Sequence, residues 1–202
     1  ISIQQVIEER LSKLFGHAIK ITGAGRTDAG VHAFGQVINF ITTGSIPINR
    51  IASAARSVLP DDIVVRQASE VPMDFHARRS AQSKVYVYQI FNHPTPDPFY
   101  RHYAWHIITQ LDCEKIGYAL SSLIGTHDFS AFQASGSAQV DPVRTVFRAD
   151  CTRHNCDKIE LEFHGNGFLY HMVRNITGTA VEIGLGRRPT SDMARILETR
   201  DR

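Results

Sequence analysis

The sequence predicts a layered α/β fold, and three patterns carry that prediction. Apolar residues recur every three or four positions in some stretches and alternate in others, so helices and strands follow one another along the chain. Lys158 to His164 alternates strictly, with Ile159, Leu161 and Phe163 directed inward and Lys158, Glu160 and Glu162 outward. Glycine and proline clusters separate these stretches and mark where one element gives way to the next.

Taken in order, Ile3, Val6, Ile7, Leu11, Leu14 and Phe15 form the inward stripe of a first helix that Gly16 ends. Ile19 to Thr22 leads into a glycine-rich loop, and Phe34 to Ile41 reads as a strand. Asn49 is the expected cap of a second helix, whose stripe is Ile51, Ala55, Val58 and Leu59, and Pro60 stops it before a strand at Ile63 to Val65. Lys84 to Phe91 is a strand with Val85, Val87 and Gln89 on one face and Tyr86, Tyr88 and Ile90 on the other. Three alternating prolines between His93 and Pro98 break the pattern. A helix over Asp112 to Leu123 is followed by an aromatic and polar loop from Gly125 to Phe132. Strands are expected over 143–151 and 158–164, then a long helix opening at Phe168 and running to Ile183, and a last helix capped by Ser191.

Composition describes a folded chain of 202 residues, 43% hydrophobic and 21% charged. Lys plus Arg is 22 against 20 for Asp plus Glu, so a polyanionic partner would need locally clustered bases rather than a basic chain. Arg78, Arg79 and Lys84 form one such cluster, Arg144, Arg148 and Arg153 a second, and Arg187 with Arg188 a third. Three scattered cysteines suit a reducing compartment, and neither a membrane-length apolar run nor a leader pattern is evident, which makes the cytoplasm the expected location. Ten histidines show no HExxH or comparable ligand spacing, and no GxxxxGK[ST] phosphate loop occurs, so neither a catalytic metal nor a nucleotide cofactor is expected.

The stretch with most chemistry is Gly25-Arg26-Thr27-Asp28-Ala29-Gly30-Val31-His32-Ala33. Glycines at 23, 25 and 30 allow a tight loop to hold Arg26 and Asp28 at the end of a strand, where both can converge on a ligand. The same residues are good turn chemistry, with Asp28 bonding its own backbone, and composition leaves the two readings open.

This nine-residue run resembles the signature of the TruA-type tRNA pseudouridine synthases. Further blocks are similar to the same family in the same order: Pro72 to Arg78, Lys84 to Tyr88, His127 to Phe132, and Phe168 to Asn175 with its His-Met-Val-Arg-Asn core. The resemblance implies an α+β, pseudouridine synthase-like fold of two α/β halves with mainly antiparallel sheets joined across a central cleft. The halves are expected at 1–79 and 80–202. It implies Asp28 as the essential carboxylate, Arg26 as the neighbour that admits and positions the nucleotide, Tyr86 as the ring against uracil, and Arg174 as the basic partner of Asp28. Phe168 or Leu169 would wall an apolar pocket, while His76, Arg78, Arg79 and Arg144, with Arg187 or Arg188, would meet the RNA.

The implied reaction is isomerisation of uridine to pseudouridine at positions 38, 39 and 40 of the anticodon arm. The family implies a homodimer acting on tRNA and no cofactor. The family's initial strand with its Gly-Trp-Gln-like segment and its final strand are not found in the chain. A non-catalytic tRNA-binding or RNA-folding protein, or an inactive fragment of the synthase, is therefore the alternative expectation. Around Ser137 to Asp141, Val140 stands where the family often carries polar or basic residues.

Overall fold

The computed structural model describes residues 1–136 and 141–201, and the expectation attached to Val140 lies outside them. Two compact units are present, Ile1–Gln82 and Ser83–Arg202.

In the first unit α1 (Ile3–Phe15) begins where the Ser2 hydroxyl accepts from the Gln5 amide at 3.1 Å and ends at Gly16, whose φ of +72° favours glycine. Its buried residues Ile7 and Leu11 pack with Ile19, Ile21, Ala55 and Leu59. Glu8 ties the helix to the segment leading into the glycine loop. Its carboxylate accepts from Gln4 and from the Ile21 amide, and these bonds, Gln4 foremost, hold the acid below the usual carboxylate range.

β1 (Thr22–Gly23) and β2 (Ile38–Asn39) pair antiparallel, with Thr22 opposite Asn39. The strand expected over Phe34 to Ile41 is therefore only two residues long, because the chain before it belongs to the glycine loop. α2 (Ile48–Arg56) starts one residue before the expected cap: Pro47, with φ of −57°, takes the capping position and Asn49 lies inside the helix. Ile63 to Val65 forms no strand, since no described neighbour offers it a ladder. Its alternation survives, with Ile63 and Val65 packed on the core and Val64 exposed.

The second unit is a five-stranded sheet built from β3 (Lys84–Asn92), β4 (Trp105–Ile107), β5 (Gly125–Asp128), β6 (Val143–His154) and β7 (Lys158–Gly165). The order is β4-β3-β7-β6-β5, antiparallel except for the β3–β4 pair. α3 (Cys113–Ser121), α4 (Met172–Gly184) and α5 (Asp192–Thr199) complete it. Ile90, Ile159, Leu161 and Phe163 are fully buried and share one core with Ile116, Leu120, Met172 and Ile176 from the helices. At roughly 1.5–3 kcal/mol for each large apolar side chain removed from water, this core is the main stabilising term of the unit. α3 and α4 approach closely at Gly184, where a Cβ would stand 2.6 Å from the Ile116 Cδ1.

Two expectations are corrected here. Gly125 to Phe132 is an edge strand followed by a short 3-10 turn, Ser130–Phe132, because the fully buried Phe129 and Phe132 anchor it beside β6. The long helix opens at Met172 rather than Phe168. His171 adopts φ of +57°, a left-handed conformation that a right-handed helix cannot pass through.

Asn92 lies buried at the end of β3. Its Nδ2 donates to the carbonyls of Ile107 and Thr109 at 2.9 and 2.8 Å, and its Oδ1 accepts from the Leu111 amide and the Arg153 guanidinium at 3.0 and 3.1 Å. One side chain thus satisfies the backbone where the ladder stops.

Candidate active site

In the first unit the glycine loop leaves β1 and returns to β2 as a closed excursion. The Ala24 amide donates to the Val37 carbonyl at 2.9 Å, and the Gln36 side chain reaches the Gly25 carbonyl at 3.0 Å. Within it the Val31 amide donates to the Asp28 carbonyl at 3.1 Å, closing a four-residue turn whose third residue, Gly30, has φ of +80°. Asp28 begins that turn half-buried, and Arg26, two residues before it, is exposed. The turn reading of this stretch is thus correct for the backbone. It also leaves the carboxylate at the tip of a hairpin rather than in a core.

His76, Arg78 and Arg79 share a second turn in this unit. The His76 Nδ1 accepts from the Arg78 and Arg79 amides at 3.2 and 3.3 Å, so the ring organises the backbone while both arginines remain exposed. The buried Ala77 amide donates to the Asn39 Oδ1 at 2.8 Å, which fixes this turn to β2.

In the second unit Tyr86 lies on the core-facing side of β3, opposite Phe163 of β7. Phe168, in the turn after β7, sets its ring against Tyr86 with centroids 5.2 Å apart and planes at 83°. Gly165 makes room for it: a Cβ there would stand 2.8 Å from the Thr145 carbonyl oxygen and 3.3 Å from the Phe168 Cζ. Leu169, by contrast, is buried in the core.

Arg174 is exposed on the first turn of α4 and donates to the His171 Nε2 at 3.4 Å; the His171 ring stacks on Tyr170 with centroids 3.8 Å apart. Sequence reasoning assigned no role to His171 or Gly165. The only signals were the His-Met-Val-Arg-Asn block, which contains the histidine, and the Gly165-Asn166-Gly167 turn. An open groove of about 640 Å³ runs beside α4 and β4, lined by Trp105, Ile108, Arg174, Gly178 and Arg187 among others. It shares Arg174 with the expected site but not Tyr86 or Phe168.

The second and third basic clusters are partly engaged within the protein. Arg144 donates to the Asp141 and Val143 carbonyls, Arg148 pairs with Asp150 and Glu162, and Arg153 is held by Asn92 and the Leu111 carbonyl. Arg188 bridges Glu182 and Asp192 at 2.5 and 2.7 Å.

The first unit thus presents Asp28 and Arg26 on its glycine loop, and the second unit presents Tyr86 braced by Phe168 and an exposed Arg174. Residues 2–78 and 119–202 match the family described as tRNA pseudouridine synthase. The chain is 45% identical over 202 residues to tRNA pseudouridine synthase A of Acetivibrio thermocellus, covering all of this chain and 82% of that protein. It is 46% identical to the protein of the same name from Thermoanaerobacter sp., with the same coverage. For that of Lacticaseibacillus casei the identity is 44% over 203 residues, 82% of its length. The chain belongs to the tRNA pseudouridine synthase family, isomerases that convert uridine to pseudouridine in tRNA. Its mixed, mainly antiparallel architecture is that of the family's fold. No helix among the described residues is long and apolar enough to cross a membrane.

Proposed function

We propose that the chain isomerises uridine at positions 38, 39 and 40 of the tRNA anticodon arm, as a cytoplasmic homodimer that needs neither metal nor organic cofactor. The observation that carries the catalytic assignment is Asp28 presented at the tip of a glycine-closed hairpin, two residues from an exposed arginine. The division into an Asp28-bearing half, 1–79, and a Tyr86- and Arg174-bearing half, 80–202, belongs to the same proposal.

Pseudouridine formation breaks the bond from uracil N1 to ribose C1′ and makes one from C5 to C1′. Ionised Asp28 attacks C1′, or stabilises the cationic sugar, as the base departs with the bonding electrons. The detached ring turns while stacked on Tyr86, C5 bonds to C1′ as any bond from Asp28 to C1′ breaks and frees the carboxylate, and the C5 proton is transferred to N1 through a basic group and solvent. Arg26 and Arg174 offset the carboxylate's charge and anchor the neighbouring phosphate. Phe168 braces the tyrosine ring; Leu169 supports that wall from the core.

A target uridine must leave its stack first, at a cost of a few kcal/mol. Exposed Arg78 and Arg79, held in place by His76, offset that cost through phosphate contacts that read shape rather than sequence. Arg144 and Arg187 extend this footprint. Steep weakening of tRNA binding with added salt is expected.

The deciding experiment maps pseudouridine site by site in unmodified tRNA incubated with the chain or with Asp28→Asn. Product at 38 to 40 that vanishes in the variant, with tRNA binding retained, supports the proposal. Undiminished product in the variant removes Asp28 from the mechanism, and salt-sensitive binding without product in either chain favours a non-catalytic RNA-binding role.

A further inference from the structure

Among the described residues, three other than glycine hold positive φ, and two of them stand where that is ordinary. Asn155, at +55°, turns the hairpin between β6 and β7, and Arg200, at +56°, ends α5. His171, at +57°, is different. It occupies the N-terminal cap of α4, a position normally extended and filled by a short polar side chain whose oxygen bonds the first turn. The His171 side chain makes no capping bond.

The segment is fixed on both sides of this residue. Leu169 and Met172 are buried in the core, the Tyr170 carbonyl accepts from the Ala134 amide at 3.1 Å, and the Asn175 side chain donates to the Phe132 carbonyl at 2.8 Å. Between these anchors the His171 ring stacks on Tyr170, with centroids 3.8 Å apart and planes at 25°, and its Nε2 accepts from the Arg174 Nη1 at 3.4 Å. Arginine has no acceptor, so the nitrogen facing it is unprotonated and the proton of a neutral imidazole sits on Nδ1. An exposed arginine otherwise samples many rotamers, and a phosphate contact must freeze them.

We propose that His171 is the positioning residue of Arg174: neutral and locked by the Tyr170 stack, its imidazole holds the guanidinium ready for the phosphate beside the target uridine. This role rests on the assignment of Arg174 to the uridine site. The left-handed backbone is then local strain kept for the placement of one ring.

Asparagine and glutamine in place of His171 separate positioning from support of the fold. Asparagine tolerates the left-handed backbone better but is too short to reach Arg174, whereas the longer glutamine brings an amide oxygen to the reach of Nε2. A purely structural role therefore ranks asparagine above glutamine, and positioning ranks them the other way. In single-turnover assays on unmodified tRNA, His171→Asn is expected to lower kcat/KM about tenfold with its urea midpoint unchanged, and His171→Gln to stay within about threefold of wild type. In an Arg174→Ala chain His171→Asn should cause no further loss. Wild-type turnover in His171→Asn while Arg174→Ala is impaired overturns the positioning role, and full turnover in Arg174→Ala overturns the assignment beneath it as well. The imidazole tautomer is read without turnover. Long-range proton–nitrogen correlation spectra at about pH 8 should show the His171 Nε2 unprotonated, with its resonance displaced in Arg174→Ala, and a proton on Nε2 overturns the proposal.

Discussion

The rings of Tyr86 and Phe168 meet almost at right angles, 5.2 Å between centroids, one from a strand and the other from the turn that ends its neighbour. The contact fixes the tyrosine ring without using its hydroxyl. We assign the Tyr86 hydroxyl as the basic group that carries the C5 proton, so Tyr86→Phe is expected to retain fold and tRNA affinity while turnover falls by about 10²-fold or more. Single-turnover pseudouridine assays read this directly. Wild-type turnover in the variant would limit Tyr86 to stacking.

Phe168→Leu removes the edge contact, worth about 0.5–1.5 kcal/mol, and leaves the tyrosine hydroxyl in place. A rise in KM of up to about tenfold with a smaller change in kcat is the expected split. Equal losses in the two constants would point instead to a role confined to the reacting state.

Gly165→Ala places a methyl group 2.8 Å from the Thr145 carbonyl oxygen and 3.3 Å from the Phe168 ring. The carbonyl belongs to β6 and cannot turn aside, so the sheet or the ring must shift. Overpacking of this kind costs about 1–3 kcal/mol, visible as a lower urea midpoint. Pseudouridine formation should fall with it, because the ring displaced is the one bracing Tyr86.

Asn92→Leu orphans the Leu111 amide and removes one acceptor from Arg153, in a site too buried for water to replace them readily. A loss of about 3 kcal/mol or more is expected in urea unfolding, since each unsatisfied buried group costs about 1–3 kcal/mol. A near-neutral result would show that water enters the site.

Asp192 is held below the usual carboxylate range by Arg195 first and then by Arg188. A depressed acid stabilises the fold above its unfolded pKa, and that contribution disappears as pH falls through the folded value. The melting-temperature gap between the wild type and Asp192→Asn should be full above about pH 5 and shrink steadily below about pH 4. A gap that grows on acidification would contradict the assignment.

Much of this was legible because the signals are local. β7 alternates without exception, and α1 keeps its terminating glycine and all of its inward stripe but the exposed Ile3, so sequence and structure largely agree there. Where they part, the cause lies outside the segment. Ile63 to Val65 has strand residues but no described ladder partner, and the helix expected from Phe168 is delayed by the left-handed His171. The glycine loop could be singled out because its chemistry is contiguous. Gly165 matters through the Thr145 carbonyl and the Phe168 ring, and His171 through a stacked tyrosine, contacts that no spacing rule displays.

Asn92 also bears on the order in which the second unit assembles. The partners of its side chain stand 15 to 61 residues away along the chain, so none can engage before the strands that carry them have been brought together. These bonds are expected to close after the folding barrier has been crossed. Loosening them should leave the refolding rate nearly unchanged and shorten the lifetime of the native state.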